Sequence, residues 1–181
     1  MTMVDALTRA GPGLAAAMRG DREGAAAGFE ATPAGLMTAL GWLVLALLLS
    51  AAAQAAFAGL PRLDQVLFGL VVQALAIGAL GLVMARSLRF LKLDVPLLAL
   101  LVPTVYGLAL VQVAAIVLAL IGPNAQLVAL VALALLIGRI GAVIGAMPVG
   151  PAVAFALLGV LVLVVVPNAL YIVFLHPPSP A

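Results

Sequence analysis

Residues 65–84 read QVLFGLVVQALAIGALGLVM, twenty positions in a row without a charged side chain. An α-helix rises 1.5 Å per residue, so such a run covers about 30 Å, the thickness of a bilayer's hydrocarbon core. A soluble helix keeps one polar face. This run offers Gln65 and Gln73 and otherwise apolar groups all round, so it predicts a helix whose solvent is lipid.

Four more runs of the same kind lie around it. Thr32 followed by Pro33 predicts a helix start, because a threonine hydroxyl accepts from free amides and proline's fixed φ suits the first turn. The first span then covers 33–57. Gly59, Pro61, Arg62 and Asp64 make a polar turn before the second span. The third span covers 96–121, broken by Gly122, Pro123 and Asn124. The fourth covers 126–147, and Pro148, Gly150 and Pro151 open a fifth over 152–175. The expected fold class is therefore all-α, a polytopic transmembrane bundle of about five helices. Residues 1–32 form a partly helical arm ahead of the transmembrane domain at 33–175. Residues 176–181, with His176, form a short proline-rich tail.

Composition agrees. Of 181 residues, 67% are hydrophobic and 8% charged, and mean hydropathy is +1.38, whereas soluble domains carry roughly 25% charge. Eight Lys and Arg against six Asp and Glu give a net charge of +2, too little for a nucleic-acid-binding surface. The chain has no cysteine, which excludes disulfides, thiolate metal sites and cysteine nucleophiles. The arm mixes Asp5, Asp21, Glu23 and Glu30 with Arg9, Arg19 and Arg22, unlike the short positive start of a signal peptide.

Lys and Arg favour cytoplasmic loops. The connection at 85–95 holds Arg86, Arg89 and Lys92, the most basic segment in the protein, and is expected in the cytoplasm. With five spans the arm is then cytoplasmic and the tail lies on the opposite side. A bacterial inner membrane is the expected host. The three basic residues at three-residue spacing suit a short amphipathic piece at the membrane surface, where anionic headgroups attract each by about 1 kcal/mol. Setting topology is the simpler role for them.

Arg139 lies well inside the fourth span, where a charge costs at least about 2.5 kcal/mol unless partnered. Two readings stand. It contacts an anion, headgroup or substrate in a wet cleft, or it is structural, capping carbonyls of a neighbouring helix or snorkelling to headgroups. No acidic residue lies within a span, so a proton relay lacks titratable members. Gln65, Gly69 and Gln73 recur every four residues on one helix face expected to point into the bundle. Asn168 follows Pro167, whose ring frees a backbone carbonyl and predicts a kink. Gly141 and Gly145, with Gly138, Ala134 and Ala142 beside them, form a small-residue face on which helices approach closely. Metal-ligand spacing, phosphate loops, nucleophile elbows and paired carboxylates within spans are all missing from the sequence. No catalytic residue, metal or cofactor is therefore expected.

Five helices, short connections and the arm reading MRGDREGAAAGFEATPAGL at residues 18–36 together give a chain that resembles the Yip1 family of five-span membrane proteins. The resemblance covers about residues 20–175 and is one of architecture. It implies membrane organisation or trafficking through partner proteins. Two functions follow from the residues themselves. The first is a non-catalytic membrane protein acting by association, as an accessory subunit or membrane organiser, with lipids and other membrane subunits or itself as partners. The second is a small transporter or channel with a polar cleft around Arg139, lined also by Gln73, Gln112 and Asn168. A membrane enzyme using Asp64 or Asp94 is the weakest candidate, since neither has a histidine or second carboxylate nearby.

Overall fold

A computed structural model describes residues 3–59, 62–122 and 125–175. The expected tail at 176–181, with His176, lies outside the described residues, as do Pro61, Pro123 and Asn124. The chain is an all-helical membrane bundle in which α1 (Met3–Arg19) and α2 (Arg22–Ala27) form the arm. The bundle helices are α3 (Pro33–Ala58), α4 (Leu63–Phe90), α5 (Leu97–Ile121), α6 (Ala125–Val143) and α7 (Val149–Leu175). Helices α3, α4, α5 and α7 are long and apolar enough to cross a membrane, and α6 contributes a shorter apolar helix over Leu127–Val143.

The ends follow from local chemistry. The Thr32 hydroxyl accepts from the Gly35 amide at 3.1 Å, with Pro33 in the first turn of α3. At α4 the Gln65 side chain accepts from the Arg62 amide at 3.3 Å, and Arg62 pairs with Asp64 at 3.2 Å. Three spans differ from the expectation, the fifth in that α7 starts at Val149 and carries Gly150 and Pro151 in its first turn. Helix α4 does not stop at Met84 but carries Arg86 and Arg89 to its end at Phe90. Its 28 residues extend about 42 Å, so the basic residues ride on helix that overhangs the hydrocarbon rather than on a separate surface piece. It closes with the Leu93 amide on the Leu88 carbonyl at 3.0 Å and the Lys92 amide on the Arg89 carbonyl at 3.2 Å. Lys92 sits between them at φ 52°, the position glycine usually fills in this motif. Helix α6, expected to reach Met147, ends at Val143 because the Gly145 amide turns back to the Ile140 carbonyl and Ala146 takes φ 51°.

Helix α5 is the hub. It packs against α3, α4 and α6, while α7 bridges α6 and α4; α3 and α4 touch only slightly although consecutive. Residues 100–109 of α5 are all buried, and Leu43, Leu80, Met84, Ile137 and Ile140 close around them with 2% exposure or less. This core lies at the end of the bundle where the arm sits. Toward the other end, over 51–59, 62–71, 110–122, 127–132 and 160–174, Ala129 is the only buried position among the described residues. The helices are therefore tightly joined at the arm end and splayed at the far end.

Candidate functional site

The arm is docked. Ala6, Ala10, Gly13, Leu14 and Ala17 share one face of α1 and are buried against α2, α5 and α6. Gly13 and Gly28 let α1 and α2 meet backbone to backbone, since a Cβ on Gly28 would lie 2.5 Å from the Gly13 Cα. Phe29, just beyond α2, stacks at a tilt on buried Tyr106 with centroids 6.0 Å apart, and Arg9 reaches Glu30 at 3.9 Å.

Arg139 belongs to this junction. Its Nη2 donates to the Met18 carbonyl at 2.8 Å, one of the four carbonyls that the end of α1 leaves without helical partners. The neighbouring ones are served locally: the Asp21 amide donates to the Ala16 carbonyl at 3.0 Å and the Gly20 amide to the Ala17 carbonyl at 3.1 Å. The guanidinium thus sits at the negative end of the α1 dipole, where a cation is favoured. Gly20, at φ 88°, leaves room for it, for a Cβ there would lie 3.1 Å from Arg139 Nη2. The Arg139 Nε is buried without a hydrogen-bond partner. Asp21 then caps α2, accepting from the Gly24 amide at 3.0 Å.

The other polar residues of the spans are not gathered around Arg139. A cleft of about 560 Å³ opens near the far end, between α3 and α4, with Gln112 of α5 and Tyr171 of α7 on its wall. Gln112 Nε2 donates to Ser50 Oγ across the α3–α5 contact at 3.2 Å. Gln54, Gln65 and Gly69 complete the polar and open side. Neither Arg139, Gln73 nor Asn168 lines it. Of the four residues expected around one cleft, the structure places only Gln112 in this one, far from Arg139. Gln73 is half-buried, and Gln65 lines the cleft while capping its own helix. Asn168 is exposed and its Nδ2 donates to the Val164 carbonyl at 2.7 Å, one residue past the carbonyl that Pro167 frees. Thr104, following Pro103 in α5, likewise donates to the Leu100 carbonyl at 2.7 Å, and both helices run unbroken through their prolines.

The small-residue face of α6 is occupied within the chain. A Cβ on Gly138 would meet Ala156 at 3.3 Å, one on Gly141 would meet Phe155 at 3.0 Å, and one on Gly145 would come within 3.4 Å of Leu100. Gly138 and Gly141 therefore serve the α6–α7 contact, and Gly145 faces α5. Arg86, Arg89 and Lys92 are exposed at the end of α4 beside Phe90, which is 87% exposed. Among the described residues they form no ion pair within the chain.

Sequence reasoning missed Ser50 and the docking of the arm. Ser50 and Gln54 stand four apart on α3, as do Gln65 and Gly69 on α4, a spacing that could have paired the two faces. The Met18 carbonyl has no side-chain signature at all. No protein-family model, curated protein or solved structure matches this chain.

Proposed function

We propose that this protein is a non-catalytic integral membrane protein that acts by association, as an accessory subunit of a membrane complex or as a membrane organiser of the five-span, Yip1-like kind. The observation that carries this reading is where the polar groups of the spans point. Arg139 holds a carbonyl of the arm, Thr104 and Asn168 hold carbonyls of their own helices, and Gln112 holds Ser50. Each is engaged in a bond that shapes the bundle, so action falls to the surface the bundle presents.

The basic overhang of α4 and the arm share one end of the molecule, which supports a cytoplasmic arm in a bacterial inner membrane with the far end outside. Anionic headgroups meet Arg86, Arg89 and Lys92 there, and other membrane subunits or further copies are the protein partners. Capture of the tagged chain from mild detergent and from nanodiscs, with mass spectrometry, tests the reading. A protein recovered at the same fixed stoichiometry in both supports it. A chain running alone as a monomer in both overturns it.

The cleft supports a second reading, a small transporter or channel, now centred on Gln112 and Ser50 rather than on Arg139. Solute flux into liposomes that is lost in Gln112→Leu would support it.

A further inference from the structure

The cleft between α3 and α4 has a lining of one chemical kind. All its polar side chains are neutral: Ser50, Gln54, Gln65, Gln112 and Tyr171. The nearest formal charges, Arg62 and Asp64, pair with each other at 3.2 Å and do not line it. A charged ligand would enter membrane-level surroundings without a counter-charge, at a cost that apolar contacts do not offset.

Polarity also runs along the cleft. Helix α3 approaches its turn from Leu47 toward Gly59, and α4 leaves it from Arg62 toward Leu70. Gln54, Gly59 and Gln65 therefore stand at the turn end. Ser50 and Gln112 come next, and Leu47, Leu48 and Leu70 are deepest. Hydrogen-bonding capacity is left over. Gln112 uses one amide N–H on Ser50, which leaves its carbonyl oxygen, and the Ser50 hydroxyl proton is still to be donated. Tyr171 is held in place by Phe68, edge to face with centroids 5.4 Å apart.

Size and lining together suit a small amphiphile, for the cleft holds about 560 Å³. Small-molecule sites run from about 300 to 1,000 Å³. We propose that this cleft binds an uncharged amphiphile, a lipid with a hydroxyl- or ester-bearing head held by Ser50 and Gln112 and an acyl chain along Leu47, Leu48 and Leu70. The site stands whether or not the chain associates with other proteins, so its failure and the failure of the association reading are separate results.

Mono-oleoylglycerol is the probe, added to delipidated chain in phosphatidylcholine nanodiscs and counted by native mass spectrometry after release into mild detergent. One molecule per chain is expected, with no displacement by an excess of anionic mono-oleoylphosphatidylglycerol. Gly69→Leu is the blocking variant, because a Cβ at Gly69 meets nothing within 4 Å and a larger side chain projects into open space. It should lower retention at least tenfold with helical content and thermal midpoint preserved. Ser50→Ala, a milder change, should lower it severalfold and serves if Gly69→Leu does not fold. Equal retention by the wild type and these variants, equal retention of phosphatidylglycerol, or a stoichiometric polypeptide whose removal is needed before the lipid binds would each overturn the proposal.

Discussion

Arg139 satisfies a charge inside an apolar helix with a main-chain carbonyl, and the two ends of that contact respond differently to mutation. Charged hydrogen bonds contribute about 1.5–3 kcal/mol, and here the bond joins the arm to the bundle. The buried Nε has no partner, so the side chain also carries a desolvation cost within α6. Arg139→Leu should therefore free the arm while leaving the bundle's thermal midpoint unchanged or raised. Limited proteolysis near Gly20 should quicken about tenfold, read beside a melting curve in the same detergent. Faster proteolysis accompanied by a lowered midpoint would contradict this division. Lys92 offers the opposite case. Its left-handed backbone costs a residue with a Cβ about 1–2 kcal/mol, and glycine occupies that conformation freely. Lys92→Gly should raise the midpoint by about 2–4 °C, and a lowered midpoint would count against the turn described.

Two helix contacts in this molecule, α1 with α2 and α6 with α7, are made through small side chains. In lipid the hydrophobic effect gives helices little reason to associate, so close packing and hydrogen bonds hold them. Gly28→Ala forces a Cβ onto the Gly13 backbone and should detach α2 from α1, exposing the arm to protease. Gly11→Ala, with nothing within 4 Å of its Cβ, should leave the arm protected. In the bundle, Gly138→Leu should push α7 away from α6 and destabilise by about 1–3 kcal/mol, seen as a lower detergent melting midpoint.

At this scale the sequence was most and least informative. The long apolar runs and the Thr32–Pro33 start located the helices well, because hydropathy and capping are local properties. Charge misleads at the end of α4. Arg86 and Arg89 suggest a connection, yet long cationic side chains tolerate a helix that overhangs the hydrocarbon. The end of α6 was set by the turn through Gly145 and Ala146, which no residue announces as strongly as the later Pro148. The cleft escapes a reading of the sequence because it is made by two consecutive helices that touch only slightly, a long-range outcome with only spaced glutamines as a local trace.

The whole molecule is tight at one end and parted at the other. The absence of cysteine makes its placement testable without background labelling. Single cysteines at Arg89 and at Arg62 should react with impermeant thiol reagents from opposite sides, Arg89 from the cytoplasm. Labelling of both from one side would refute the crossing of α4, and labelling at position 89 from outside would refute the orientation.

The bond between Arg139 and Met18 has a consequence for descent. A backbone carbonyl is supplied by any amino acid, so position 18 is free to drift among relatives while Arg139 and Gly20, with its φ of 88°, are held. Covariation between columns 18 and 139 should be nil despite their direct contact. Maps of contacts inferred from coupled substitutions would pass over the joint by which the arm is fastened.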